Sequence, residues 1–395
     1  MGDQLAMLNI GRDIKTGEYV YLDASHSRAV LICGKRGSGK SYTLGVIAEE
    51  LYQTGNVLVI LVDPMGIYYP MAQPNHEQDR LLWDWGLHAI GVPTMVLVPG
   101  EPEKLYGGKE VVKAMEAMGV RFREFRINPS DLSPDAWCDL FDLSIADVMG
   151  IALFRAVRHL ARLRKEHFFI PDIIEEIESD SLVNDRTRQA LINRLEMAQD
   201  WDLFSHRYQE VWEIFNPQAV NIVDLSTLDP GPRGRRNLVV SVLARDIFKR
   251  RTIARRKEDL GLVSELPRVW MLIDEAHQFV PSSKTTLAKE ALIRWTKEGR
   301  QPGLSLVVAS QQPSAIDSEV LSQCDVLLCQ KLTNSADIQA INALSQDYMG
   351  GELRTFIRKL QRRGEAVVVD DEQEKVIMTQ IRPRKSRHGG SEAKG

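Results

Sequence analysis

Cysteine is scarce in this chain, and the scarcity excludes two classes of protein at once. Only Cys33, Cys138, Cys324 and Cys329 occur in 395 residues. None forms a CxxC pair, and no His or Cys cluster has metal-ligand spacing, so the pattern is neither a disulfide scaffold nor a zinc module. The expected state is buried, reduced thiols in a cytoplasmic protein. Long apolar runs are missing too. No stretch approaches the roughly 18 residues needed to cross a bilayer, so no membrane partner is expected. The N-terminal MGDQLAMLNIGRD has neither an apolar signal core nor the Ser/Thr of a myristoylation signal. An excess of one charge is likewise absent: 50 Lys and Arg against 54 Asp and Glu leave a net charge of -4. Attraction of nucleic acid by a global field is thereby excluded, and any polyanion contact must come from local basic patches. Internal repeats and long low-complexity segments are absent as well.

What is present is alternation. Short runs that read as strands, RAVLICG (28–34, buried), NVLVILVDP (56–64), PTMVLVPG (93–100), RFREFRINP (121–129), AVNIVDLSTL, RVWMLIDE, LSLVVAS, CDVLLCQKL and lastly EAVVVDD, are separated by helical patterns. Strands alternating with helices predict an α/β fold with a mainly parallel sheet. Residues 131–217 are mainly helical in pattern and interrupt the alternation as an insertion or lid. The expected organisation is a lead-in hairpin (1–27), the first part of the core (28–130), the helical insertion (131–217), the second part of the core (218–381) and a basic, disordered tail (382–395).

Two motifs carry chemistry. GKRGSGKS fits G-x-x-x-x-G-K-[ST] directly after a strand and before a helix. Gly34, Lys35, Arg36, Gly37, Ser38 and Gly39 would curl backbone N–H groups around phosphate oxygens at a helix N-terminus, with Tyr42 just beyond. Lys40 would reach the β- and γ-phosphates of ATP, and Ser41 would ligate Mg²⁺. VWMLIDEAHQF ends an apolar strand in Asp274 and Glu275, at the strand edge where parallel sheets bind ligands. Asp274 would hold the Mg²⁺ shell and Glu275 would polarise an attacking water. Gln311 ends the next strand with an amide that can orient that water or sense the γ-phosphate. Asp63 ends another strand on the same edge and either touches the site or caps the turn before Pro64. Arg300, in EGRQPG, lies before the Gln311 strand and so at the opposite end of the sheet. A strand length, roughly 20 Å, separates it from its own P-loop. Within one subunit it is a solvated charge; in a ring it can reach a neighbour's nucleotide as a finger in trans. Basic clusters at 155–165, 233–257 and 354–363 read as solvated helix faces or as polyanion contacts. Lys284, in VPSSKTT, is either a pore contact for DNA or an ordinary loop residue.

Together GKRGSGKSYT, VILVDPMGIYY, LIDEAH and TKEGRQPGLSLVVASQQPS resemble, in order, the HerA branch of the HerA/FtsK ring ATPases, over roughly residues 9–80 and 218–385. The resemblance implies a RecA-like core, a homo-hexameric ring, and ATP-driven translocation of double-stranded DNA. It implies Lys40 and Ser41 for nucleotide and Mg²⁺, Glu275 as catalytic carboxylate and Arg300 as the trans finger. It also suggests a partner nuclease or other effector, in DNA end processing or phage defence. HerA proteins usually carry a small β-barrel before the P-loop, whereas the residues ahead of Gly34 read as at most a hairpin. The alternative is a ring ATPase that scaffolds or gates an effector without moving on DNA. A small-molecule kinase is disfavoured by Glu275.

Overall fold

The computed structural model describes residues 7–163, 167–231, 234–263, 266–344 and 353–390. Its strands are β1 (Met7–Asp13), β2 (Tyr19–Asp23), β3 (Ala29–Cys33), β4 (Val57–Asp63), β5 (Thr94–Pro99), β6 (Val120–Phe125), β7 (Val220–Asp224), β8 (Arg268–Ile273), β9 (Leu304–Ser310), β10 (Val326–Gln330), β11 (Glu365–Asp370) and β12 (Lys375–Ile381). They form one sheet in the order β2-β1-β12-β11-β10-β3-β9-β8-β4-β7-β5-β6. From β10 to β6 every neighbouring pair is parallel. From β10 outward through β11, β12, β1 and β2 every pair is antiparallel.

The apolar pattern explains the layering. β4 is buried along its whole length. Successive side chains of a strand point to opposite faces. Leu58, Ile60 and Val62 accordingly join one apolar cluster, and Val57, Val59 and Leu61 join the other. A strand apolar on both faces needs a covering layer on each. The helix Lys40–Thr54 supplies Leu44, Ile47 and Leu51 to one cluster. The helices Arg235–Asp259 and Lys289–Glu298 cover the other face.

The region between β6 and β7 holds the helices Pro134–Leu140, Val148–Leu163, Ile170–Ser179 and Asp185–Gln199. Ser133 and Asn184 start two of them by accepting from the N–H groups of Ala136 and Thr187, satisfying otherwise orphaned donors. Trp137, Leu153, Ile173 and Leu195 share one apolar cluster with Leu58 and Ile60 of the sheet. These helices therefore pack on the sheet through a common core.

Two expectations need correction. β11 is not the last strand: β12 follows it and also pairs with β1, which joins the N-terminal hairpin to the main sheet. Gly11 permits that junction, because a Cβ there would lie 2.3 Å from the Gln380 carbonyl oxygen. Nor does the tail become disordered at residue 382. Arg382, Arg384 and Ser386 are fully buried. Buried Glu49 accepts from Arg382 Nη2 at 2.9 Å, Arg384 Nε at 3.4 Å and the Ser386 N–H at 2.9 Å. The basic residues of the segment serve an interior carboxylate, and their burial requires that pairing. Residues 391–395 lie outside the described residues.

Candidate active site

The parallel strands deliver their C-terminal ends to one edge of the sheet. β3 runs into the glycine-rich loop, and the helix Lys40–Thr54 begins at Lys40. Gly37 and Gly39 take φ of 78° and 116°, the region that glycine enters freely. A Cβ at Gly34 would stand 2.6 Å from Ser38 Oγ. Lys40 runs back along the loop, and its Nζ donates to the Lys35 carbonyl at 3.2 Å. Burial holds its pKa below the ordinary lysine value, while the nearby carboxylates of Glu275 and Asp274 oppose that shift. Lys35, Arg36 and Gly37 are exposed at the rim.

β9 lies between the P-loop strand β3 and the carboxylate strand β8, so its end meets both. Gln311 Nε2 donates to Glu275 Oε1. The other oxygen, Glu275 Oε2, is buried without a hydrogen-bond partner, with His277 Nδ1 3.4 Å away. Glu275 holds φ 48° and ψ 45°, a left-handed conformation that costs a non-glycine residue of order 1–3 kcal/mol. Asp274, fully buried, accepts from the Tyr68 hydroxyl at 2.8 Å and from the Glu275 N–H at 2.9 Å. Tyr68 Oη also lies 3.2 Å from the Ser41 carbonyl oxygen, linking the carboxylate strand to the P-loop helix. Lys40, Ser41, Asp274, Glu275 and Gln311 thus belong to one connected edge.

Asp63 is there too, as a turn cap. It accepts from the N–H groups of Met65, Gly66 and Tyr68 at 2.8–3.0 Å. Burial, and then the neighbouring Asp224, push its pKa up to about 7 against those hydrogen bonds.

Sequence reasoning missed Gln330, buried at the end of β10. It accepts from Ser38 Oγ at 3.0 Å and donates to Thr43 Oγ1 at 2.9 Å, so it braces both sides of the P-loop. The rule that singles out Gln311, a polar side chain ending an apolar strand, applies equally to VLLCQ. Tyr68 was missed because its role depends on Asp274, which is distant in the chain.

Arg300 stands apart. It lies in the turn before β9, at the opposite end of that strand from Gln311, with its side chain 76% exposed. Its Nη2 pairs with Glu372 Oε1 at 3.2 Å. Glu372 also takes Arg28 Nη1 at 2.6 Å and His26 Nε2 at 2.8 Å. Lys284 is exposed in the loop after β8, and among the described residues only its backbone carbonyl has a partner, accepting from Lys289 Nζ at 3.2 Å. The basic helix Arg235–Asp259 is largely self-neutralised. Arg250 pairs with Asp246 and Glu210, Arg251 with Glu258, Arg255 with Asp259, and Arg245 with Glu290.

A family model described as the central domain of the helicase HerA matches residues 8–247. The chain belongs to that HerA family. Among similar proteins is the probable helicase MJ1565 of Methanocaldococcus jannaschii, 26% identical over 350 residues, which are 83% of this chain and 58% of that one. The DNA double-strand break repair helicase HerA of Sulfolobus acidocaldarius is 22% identical over 87% of this chain and 62% of its own. The chain thus spans about three fifths of the length of these two relatives. The fold of this HerA-family chain is that of VirB4 from Thermoanaerobacter pseudethanolicus, with TM-score 0.58, 16% identity and 97% and 98% of the two chains covered. It is likewise that of the bacterial conjugative coupling protein TrwB, with TM-score 0.54, 14% identity and 97% and 92% covered. The mainly parallel sheet with a glycine-rich loop after β3 has a RecA-like α/β fold. No helix among the described residues is long and apolar enough to cross a membrane.

Proposed function

We propose that this chain is the ATP-hydrolysing subunit of a homo-hexameric ring that binds and moves along double-stranded DNA. It would work with a partner nuclease or other effector, in DNA end processing or phage defence. The observation that carries the reading is the convergence of Lys40, Asp274, Glu275 and Gln311 at one sheet edge. A static nucleotide switch has no need of a strained, half-buried carboxylate with one oxygen free of hydrogen bonds. The name of the similar Sulfolobus protein, a DNA double-strand break repair helicase, supports DNA as the track.

Each residue has a task in hydrolysis. The P-loop N–H groups and Lys40 bind the β- and γ-phosphates. Glu275 Oε2, free of any internal hydrogen bond, accepts a proton from the attacking water. Gln311 fixes the Glu275 carboxylate through its other oxygen and fills the strand end beside it. The water oxygen bonds to the γ-phosphorus, and the bond from that phosphorus to the bridging oxygen breaks, leaving ADP. Mg²⁺ takes oxygen ligands, usually one or two protein groups plus phosphates and waters. Ser41 and Asp274 suit it, being tied to each other through Tyr68. Bound there, Mg²⁺ would offset charge on the transferring phosphoryl group. Arg300, reaching across a ring interface, would do the same from the neighbouring subunit.

One observation favours the gating alternative: most guanidinium groups of the basic helix are committed to carboxylates of the same chain. ATP turnover measured against duplex DNA of increasing length separates the readings. A translocating ring is stimulated, increasingly with length until a plateau; a gate gives turnover indifferent to duplex. In the same assay Glu275→Gln should bind ATP yet hydrolyse it 10²- to 10⁴-fold more slowly, roughly the contribution of a positioned base. Undiminished turnover in that variant would remove Glu275 from the chemistry.

A further inference from the structure

Charge is segregated along this chain. Residues 131–217 carry 17 Asp and Glu against 9 Lys and Arg, a net charge of -8 in a chain whose total is -4. The helix Arg235–Asp259 carries 9 basic residues against 3 acidic ones. Most of its guanidinium groups are paired, but one stripe is not. Arg245, Lys249, Thr252 and Arg256, spaced four, three and four apart, lie along one side of the helix. With Arg294 of the helix Lys289–Glu298 they rim a groove of about 350 Å³, whose lining holds no acidic residue. Buried Phe248 and Ala291 form its floor, and the Arg294 guanidinium carbon stands 4.3 Å from the Phe248 ring centroid. Exposed Ile253 adds apolar surface.

The cations of the stripe are available. Lys249 and Arg256 are exposed and have no ion-pair or hydrogen-bond partner among the described residues. Asp246, the carboxylate that feels Lys249, is bonded to Arg250. An apolar floor under a cationic rim suits an acidic helix; duplex phosphates need no apolar surface.

The acidic region of the chain presents such a helix. Ile170–Ser179 holds four carboxylates, Asp172, Glu175, Glu176 and Glu178, and no cation. Ile170, Ile173 and Ile177 are buried on its inner side, where it packs on the helices Val148–Leu163 and Asp185–Gln199. Asp172 accepts from the Phe169 N–H, and Glu176 holds His159. Glu175 and Glu178, three apart and so on one side, are exposed and have no partner among the described residues. Half-buried Ile174 lies one turn before Glu178, and Leu182, just past the helix, is 79% exposed. Ten helical residues span about 15 Å, and the stripe from Arg245 to Arg256 spans about 16 Å.

We propose that the helix Ile170–Ser179 of one subunit lies in the groove between the helices Arg235–Asp259 and Lys289–Glu298 of the next, with Glu175 and Glu178 against Lys249 and Arg256. One surface meets a different surface, the head-to-tail contact from which rings are built. The helix Lys289–Glu298 walls the groove and ends two positions before Arg300. The docked helix therefore also fixes where that arginine stands relative to the neighbour. The proposal rests on the ring reading above, and its test keeps the two apart.

The test is the mass of the full chain in solution with ATP and Mg²⁺, followed by sedimentation over a range of protein concentrations. Lys249→Glu with Arg256→Glu, and separately Glu175→Lys with Glu178→Lys, should each raise the concentration needed for assembly about tenfold or more. All four substitutions together restore opposite charges across the contact and should bring assembly back. The four side chains are exposed, so melting temperatures should not change. A second measurement needs no variant. Carbodiimide joins a lysine to a carboxylate it touches, and in mixed isotope-labelled and unlabelled subunits it should join Lys249 of one to Glu175 or Glu178 of another. Variants that assemble like the original chain would overturn the contact, as would reversals that the fourfold variant does not rescue, or the absence of that cross-link from assembled rings. Reversal at Lys249 and Arg256 that spares assembly and lowers the salt dependence of DNA binding would overturn it too, by making the groove a phosphate contact. An original chain that stays monomeric would overturn the ring reading, and the contact with it.

Discussion

β9 holds a candidate functional residue at each end, and the two ends are built differently. At the Ser310 end the polar groups are committed to one another, Gln311 to Glu275 in a half-buried pair, Tyr68 to Asp274 and Gln330 to Ser38 and Thr43 in buried ones. At the other end Arg300 is exposed, and its ion pair is with Glu372. Leaving a buried partner unsatisfied costs about 1–3 kcal/mol, whereas an exposed ion pair is worth roughly 0–1 kcal/mol. The first end is therefore preorganised within one chain. The second is held so weakly that a better anion, such as a phosphate on an adjacent subunit, can take the guanidinium from Glu372.

The largest expected effect tests that contrast directly. Arg300→Ala should fold and bind ATP but lose hydrolysis by on the order of 10³-fold, the scale of an arginine finger. Arg300→Lys should fail as well, because an ammonium lacks the planar fork. Lys40→Ala should fail within its own subunit. Rings mixed from Arg300→Ala and Lys40→Ala subunits contain interfaces with an intact P-loop facing an intact arginine, so turnover should partly return. Mixed rings of verified composition that stay inactive would confine Arg300 to its pairing with Glu372.

A smaller effect compares a buried carboxylate with an exposed one. Glu49→Gln takes the carboxylate from buried Arg384 and leaves buried Arg382 with Glu50, and should cost about 3–5 kcal/mol of stability. Glu372→Gln, on a partly exposed network, should cost about 1 kcal/mol or less. Urea midpoints of the two variants measure both. Equal losses would mean that the segment after β12 is only loosely attached.

These contrasts also show what is legible in sequence. A site written in contiguous stretches, such as GKRGSGKS or LIDE, is readable because backbone geometry turns adjacency into proximity. The strand runs β4, β5, β7, β9 and β10 are readable for a similar reason: full burial leaves an apolar signature. β12 lacks it, since KVIMTQI is mostly half-buried and polar residues interrupt it. The tail misleads because composition reports charge, and the partner that neutralises it, Glu49, lies in a helix near the other end of the chain. Tyr68 is invisible for the same reason, since its importance depends on Asp274, whereas Gln330 ends an apolar strand as Gln311 does and is open to the same reading.

A further prediction concerns pH at the preorganised end. Burial and Asp224 raise Asp63 from 3.8 to about 7. A carboxyl whose folded pKa is raised contributes stability that is full below its unfolded pKa and is lost as pH rises through the folded value. Its contribution should therefore decline between about pH 4 and pH 7. Asp224→Asn removes the neighbouring charge and should flatten that decline, as read from urea midpoints across the window. An identical slope in the variant would assign the shift to burial alone.

The smallest effect concerns two lysines of one loop region. Lys289 Nζ is engaged by Asp317 at 2.7 Å and by the Pro281 carbonyl at 2.9 Å. Lys284 is exposed, and its ammonium has no partner among the described residues. Only the second is available to a phosphate. Each lysine that meets duplex phosphate contributes about 0.9 to the slope of log affinity against log salt. Lys284→Ala should thus lower the slope by about one and weaken DNA binding uniformly across sequences. Lys289→Ala should leave the slope alone and act through stability, by removing the tie to Asp317. A slope unchanged by Lys284→Ala would return that residue to an ordinary surface loop and place any DNA contacts elsewhere.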